Sequence, residues 1–258
     1  MEASETSAEK GFVAISDDSR PTVSIVVPAF NEAARIGDSI QKIDAFVRQS
    51  PLSFEVIVVD DGSADQTAAV VTQCQMSELR LVHNDENHGK GYSVRQGVLA
   101  STGMYVLFTD ADLSAPIEEL NKLLDVARTE GVDVVIGSRA VDRRFIEKHQ
   151  SSLRELGGIV FNKMVQLLLG LRLHDTQCGF KLFHRERSRR IFEKLTTFGF
   201  GFDPELLFLA KRHGLSIRET PVRWSHAEGS KVKFLRDGVR MFFDLVRIRW
   251  NALIGRYS

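Results

Sequence analysis

From Thr22 onward the chain alternates short apolar runs with longer stretches of helical period. The runs are Val23–Val27, Glu55–Val59, Leu79–Val82, Met104–Phe108 and Asp133–Ile136. They are rich in β-branched residues and apolar at nearly every position, the pattern of strands buried on both faces. Between them lie helix-patterned stretches at 32–49, 64–76, 91–101 and 116–130. Such alternation predicts right-handed strand–helix–strand crossovers and a Rossmann-like, mostly parallel sheet in an α/β fold. Beyond Gly137 the pattern predicts an amphipathic helix over 152–170 and a strand–helix pair over 179–195. A strand near 216–224 and a helix over 233–254 follow. Residues 1–20 are polar and acidic without apolar period and read as a disordered tail.

Polar residues cluster where the predicted strands end. Val27 runs into Pro28-Ala-Phe-Asn-Glu32, and Val59 into Asp60-Asp61-Gly62-Ser63. Phe108 runs into Thr109-Asp110-Ala-Asp112, and Ile136 into Gly137-Ser-Arg139. Open parallel sheets bind ligands beyond their strand C-termini, so Glu32, Asp61, Asp110, Asp112 and Arg139 are expected along one edge. A lone Asp or Ser after a strand is often only the cap of the next helix. Two carboxylates one residue apart repel each other unless a cation sits nearby. Hard divalent ions such as Mg²⁺ or Mn²⁺ suit carboxylate oxygen and also bind substrate phosphates, so Asp110 and Asp112 are candidate metal ligands. Other nucleotide motifs are missing. Asn84 stands where a P-loop needs its first Gly, and no G-x-G-x-x-G follows the first strand.

Composition narrows the class. With 43% hydrophobic and 26% charged residues the chain is an ordinary globular one. Its two cysteines, Cys74 and Cys178, cannot form a disulfide framework and are expected as free thiols in a reducing compartment. No leader-like apolar segment opens the sequence, and no run approaches the roughly 18 apolar residues of a transmembrane helix. The expectation is a cytoplasmic protein, soluble or peripheral on the cytoplasmic face of a membrane. The net charge is zero, from 34 basic and 34 acidic residues. That balance is split. Residues 1–136 carry 10 Lys/Arg against 22 Asp/Glu, and residues 137–258 carry 24 against 12. The halves are expected to meet different charged species.

Taken together, these motifs resemble the GT-A domain of family 2 glycosyltransferases. The resemblance lies in Val26-Val-Pro-Ala-Phe-Asn-Glu32, Val58-Val-Asp-Asp-Gly-Ser63, Asn87-His-Gly-Lys-Gly91 and Thr109-Asp-Ala-Asp-Leu113. In the second half Gly137-Ser-Arg139, Asp175-Thr-Gln-Cys-Gly-Phe-Lys-Leu-Phe183, Phe202-Asp-Pro-Glu-Leu206 and Glu228-Gly-Ser-Lys-Val232 are similar to the polyprenyl-phosphate sugar transferases. The resemblance implies a GT-A domain over 21–232, followed by a C-terminal amphipathic helix over 233–258. It implies metal-dependent transfer of a hexose, with inversion, from a nucleotide sugar to a polyprenyl (dolichyl-type) phosphate. UDP-glucose is the expected donor. A GDP-mannose-dependent enzyme and a non-catalytic nucleotide-sugar-binding module stand as alternatives, and no nucleic-acid partner is expected.

The resemblance also implies site residues. Glu32 and Asp61 contact the nucleoside beside Pro28 and Phe30, and Asp110 and Asp112 hold the metal on the diphosphate. Arg139 and, on the next helix, Arg154 bind the acceptor phosphate, for which the planar guanidinium fork is suited. Lys90, Gln177, Lys181, Asp203 and Glu205 complete the substrate-binding set. Catalytic roles fall to Asp112, Arg139 and Asp203. The alternatives are ordinary: a solvated helix residue for Arg154, a loop before a helix for Lys90, and a structural turn around Gly179 for Gln177 and Lys181. For Asp203 and Glu205 the alternative is a helix N-terminus, and Trp224 either stacks on a sugar or packs.

A polyprenyl acceptor implies membrane contact. In the C-terminal stretch Leu235, Val239, Phe242, Val246, Trp250 and Leu253 recur at helical spacing, with Arg236, Arg240, Arg247 and Arg249 mostly off that face. A cationic helix with Trp and Phe reads as interfacial; the alternative is a helix packed on the core. The helix at 152–170 is a second candidate.

Overall fold

The computed structural model describes residues 20–148, 152–226 and 234–258. The expected tail and the Glu228–Val232 motif lie outside them, apart from Arg20. In chain order the elements are β1 Val23–Ala29, α1 Ile36–Gln49, β2 Phe54–Asp60, α2 Thr67–Gln73, β3 Leu79–His83, α3 Lys90–Ala100, β4 Tyr105–Thr109, α4 Leu120–Thr129 and β5 Val134–Ser138. They continue with β6 Ile146–Lys148, α5 Ser152–Leu169, β7 Phe180–His184, α6 Arg185–Glu193, α7 Phe202–Arg212, β8 Ile217–Pro221, β9 Trp224–Ser225 and α8 Phe234–Leu253.

Seven strands form one sheet in the order β3-β2-β1-β4-β7-β5-β8. Helices cover both faces. Ile25, Val27, Val56 and Val58 join one core with Ile40 and Leu123, whereas Val26, Ile57 and Val59 join a second with Val94, Leu206 and Leu245. Two buried faces explain the unbroken apolar runs of β1, β2 and β4.

Two features depart from the periodicity reading. First, β7 is antiparallel to both of its neighbours, with Thr109 opposite Phe180 and Ile136 opposite Lys181. The other pairings in this sheet are parallel. Because β7 runs backwards, the residues before it, Asp175–Gly179, arrive at the edge reached by the residues after β4 and β5. Second, α7 occupies a stretch where no helix was expected from periodicity. Every residue from Phe202 to Ala210 is buried, so the segment lacks the amphipathic alternation that would reveal it.

Helix α8 is also more than an appendage. Leu245, Ile248 and Ala252 enter the second core, as does Tyr257 beyond the helix. Among the described residues, no helix is long and apolar enough to cross a membrane.

Candidate functional site

A cleft of about 560 Å³ opens along the C-terminal edge of β1, β2, β4 and β5. Pro28, Phe30, Glu32, Asp61, Lys90, Asp110, Asp112, Arg139, Gln177 and Asp203 line it. The structure thus brings together residues spread over more than 170 positions of sequence.

The first wall is built by loops that hold one another. Asn31 turns the chain after β1 with φ +51°, and its side-chain oxygen accepts from Ala64 N at 2.8 Å. Asp61 is buried, and its carboxylate accepts from Asn84 Nδ2 at 2.9 Å, His88 N at 3.1 Å and Gly89 N at 2.8 Å. It therefore fixes the loop that delivers Lys90. Gly89 is required there: its φ is +103°, and a Cβ would lie 2.5 Å from Phe198 O. Glu32 pairs with Arg35, whose other guanidinium nitrogen is 3.9 Å from Asp112 Oδ2.

The next wall carries the two carboxylates after β4. Leu113 bends the chain with φ +47°, and Asp112 Oδ1 accepts from Ser114 N at 3.0 Å. Lys90 Nζ lies 2.5 Å from Asp110 Oδ1. Burial works to lower the Lys90 pKa, but Asp110 and Asp203 outweigh it and hold the ammonium charged. Gly179 packs directly on Asp110; a Cβ there would overlap the carboxylate. Among the described residues no three or more His, Cys, Asp or Glu side chains converge as a metal cage. Asp110 and Asp112 nevertheless fit a hard divalent cation, because both present carboxylate oxygen to the cleft and diphosphate oxygens would complete the shell.

Beyond β5 the cleft carries a clamped ion pair. Arg139 follows β5 and is clamped by Asp175, with Nε to Oδ2 at 2.7 Å and Nη2 to Oδ1 at 2.8 Å. Its backbone N donates to the same carboxylate at 3.0 Å. Burial pushes the Asp175 carboxyl up, but the Arg139 charge and hydrogen bonds dominate and bring it to about 2. The guanidinium also lies 5.3 Å from the centre of the Trp224 ring. Trp224 thus packs under Arg139 while lining the cleft. Gln177, delivered by the reversed β7, has a buried side-chain nitrogen with no hydrogen-bond partner among the described residues, a donor able to meet a ligand.

Two expected site residues lie elsewhere. Lys181 is fully buried beneath the cleft and donates to Asp203 Oδ1 and Cys178 O, each at 2.5 Å. It holds Asp203, whose carboxyl burial pushes up against the opposing charges of Lys181 and Lys90. Glu205 corrects the sequence expectation more fully. It points away from the cleft and accepts from Thr196 N at 3.1 Å, Thr197 N at 2.6 Å and Tyr257 Oη at 2.5 Å. Its carboxylate ties α7 to the C-terminal residues. Arg154 lies on α5, and its side chain is outside the described residues.

Sequence reasoning missed the contribution of α8. Arg236, Asp237, Arg240, Met241 and Asp244 line the cleft. The signal was present, since these positions recur at i, i+1, i+4, i+5 and i+8 on one helical stripe.

Comparison with known proteins adds the following. The profile described as "Glycosyl transferase family 2" matches residues 24–192. A protein named dolichyl-phosphate beta-glucosyltransferase from Dictyostelium discoideum is 36% identical over 247 residues, covering 90% of this chain and 75% of that protein. Proteins of the same name from Saccharomyces cerevisiae and Homo sapiens are 36% and 34% identical. They cover 93% of this chain each, and 78% and 79% of their own lengths. Among solved structures, mannosyl-3-phosphoglycerate synthase from Rubrobacter xylanophilus superposes with a TM-score of 0.67 at 24% identity, over 92% of this chain and 75% of that one. Glucosyl-3-phosphoglycerate synthase from Mycobacterium tuberculosis, in complex with Mn²⁺, UDP-glucose and phosphoglyceric acid, gives 0.66 at 22%, over 92% and 80%. These two likenesses bear on the fold.

Proposed function

We propose a specific reaction from one premise: this chain belongs to glycosyl transferase family 2. It is a glycosyltransferase with the GT-A fold. The reaction we infer is transfer of glucose from UDP-glucose to a dolichyl-type polyprenyl phosphate. The bond from the anomeric carbon to the diphosphate oxygen breaks. A bond from that carbon to an acceptor phosphate oxygen forms with inversion, and UDP leaves. Relatives named for dolichyl phosphate support the acceptor. The observation that carries the reading is a cleft lined by both a pair of carboxylates and a clamped arginine.

Each residue then has a task. Glu32 and Asp61 line the nucleoside end beside Pro28 and Phe30. Asp110 and Asp112 would hold Mg²⁺ or Mn²⁺. When bound, such an ion supplies Lewis-acid stabilisation of the charge on the departing diphosphate. Lys90 adds a fixed positive charge at that wall. The acceptor phosphate is already anionic, so no strong general base is needed, and Asp203 serves as an acceptor for sugar hydroxyls. Arg139 positions the acceptor phosphate with the Nη1 side of its guanidinium, whose other edge Asp175 holds in place.

The membrane side follows from α5 and α8. Leu156, Ile159, Val160 and Leu167 of α5 are exposed, as are Val239, Phe242, Phe243, Val246, Trp250 and Leu253 of α8. We assign this surface to the bilayer that holds the acceptor. Arginines flank it, as in interfacial helices.

The test is incubation with radiolabelled UDP-glucose, divalent metal and polyprenyl phosphate in vesicles. Label is expected in organic-extractable lipid. Transfer from GDP-mannose instead would overturn the donor, and no transfer from any nucleotide sugar would overturn the reading.

A further inference from the structure

We propose that Arg240 on α8 is a further acceptor-phosphate-binding residue beside Arg139, placed where the lipid headgroup passes from the bilayer surface into the cleft. The inference rests on the lipid-acceptor reading above.

Three faces of α8 carry the argument. Leu245, Ile248 and Ala252 are buried in the core. Val239, Phe242, Phe243, Val246, Trp250 and Leu253 form an exposed apolar stripe. Asp237, Arg240, Met241 and Asp244 line the cleft. At 3.6 residues per turn, positions 236, 240 and 247 fall on the boundary between the apolar stripe and the cleft stripe. An amphiphile whose chain lies in the bilayer and whose phosphate lies in the cleft must cross that boundary. A column of arginines there can lie along apolar surface while the charged heads reach the phosphate.

Of these three, Arg240 is the one whose fork is uncommitted. Arg236 Nε is 3.3 Å from Asp237 Oδ1. Arg247 Nη2 donates to Asp244 Oδ1 at 3.0 Å and to Thr197 Oγ1 at 3.2 Å. Arg240 makes no hydrogen bond or ion pair among the described residues, and its charge reaches Asp244 only at longer range. Such a group complements Arg139. Asp175 takes the Nε–Nη2 edge of Arg139, which leaves that guanidinium its Nη1–Nη2 edge for a phosphate. A further arginine adds donors at the membrane-facing end for the phosphate oxygens that Arg139 does not meet.

The test uses the full chain and two acceptors: a long-chain polyprenyl phosphate in neutral phosphatidylcholine vesicles, and a water-soluble short-chain isoprenyl phosphate. Arg240→Ala is expected to raise the KM for both acceptors by about tenfold or more, the worth of a charge-assisted hydrogen bond. The KM for UDP-glucose should change less than about twofold, and Arg240→Lys should recover part of the loss. Arg249→Ala removes the same charge from a different face and should leave the KM for the water-soluble acceptor unchanged. An unchanged acceptor KM in Arg240→Ala would overturn the proposal while the function stands. So would an equal rise for the water-soluble acceptor in Arg249→Ala, which would show only a diffuse field. A rise confined to the vesicle acceptor would also overturn it, by assigning Arg240 to membrane docking. Wild-type chain that transfers nothing to either acceptor would instead fail the underlying function.

Discussion

The Asp175–Arg139 clamp makes the sharpest prediction. Asp175→Asn keeps the side-chain shape but removes one charge. It also turns an amide NH₂ toward guanidinium donors that now approach a carboxylate at 2.7 and 2.8 Å. Breaking one side of a buried pair typically costs about 3–5 kcal/mol. A second route gives a similar scale. The Asp175 carboxyl moves from 3.8 to about 2, and at about 1.4 kcal/mol per pH unit that is on the order of 2 kcal/mol. A loss of about 2–5 kcal/mol at pH 7 is therefore expected in urea unfolding followed by circular dichroism. The pH dependence fixes the sign. A carboxyl whose folded pKa is depressed contributes fully above its unfolded value, and that contribution fades as pH falls toward the folded value. The gap between wild type and Asp175→Asn should therefore be widest above pH 5 and narrow between about pH 4 and pH 2. Adding Arg139→Gln should cost less than the sum of the two single changes, because no buried cation is then left alone. A loss below about 1 kcal/mol, or a gap that does not narrow in acid, would refute the clamp as described.

Other outcomes follow from neighbouring parts. Asp112→Ala should abolish metal-dependent transfer while circular dichroism and melting stay close to wild type; retained turnover would remove Asp112 from the metal site. Tyr257→Phe deletes the hydroxyl that donates to Glu205 and should cost about 1–2 kcal/mol in unfolding with kcat and KM unchanged. Altered kinetics there would return Glu205 to the chemistry. Phe243→Ser with Trp250→Ser removes two exposed aromatic side chains of α8. It should weaken sedimentation with vesicles by about tenfold or more, with turnover of a soluble acceptor retained. Unchanged vesicle binding would exclude that face from the membrane.

Much of the site was legible because a parallel sheet obeys a simple rule. Chain leaving the C-termini of β1, β2, β4 and β5 must emerge on one edge, so Glu32, Asp61, Asp110, Asp112 and Arg139 could be gathered from strand patterns alone. The rule fails at β7. Its reversed direction brings Gln177, Gly179 and Asp175 to that edge, and apolar periodicity carries no sign of strand direction. Apolar periodicity missed helix α7 for a related reason, although Asp203 and Glu205 offered its N-terminus as an alternative: burial all round erases the contrast on which amphipathic patterns depend.

The sequence by itself therefore determined the α/β class, the family and the chemical kinds of residue at the strand ends. These depend on local apolar runs and on short motifs whose parts stand within a few residues of each other. Only the tertiary structure decided which charges are spent on one another. Asp175 meets Arg139 across 36 residues, and Tyr257 meets Glu205 across 52. Those pairings depend on distances between elements, which the chain sets only when both sheet faces are covered and the helices have closed on their cores. The same closure turns one stripe of α8 into a cleft wall and leaves another exposed and apolar.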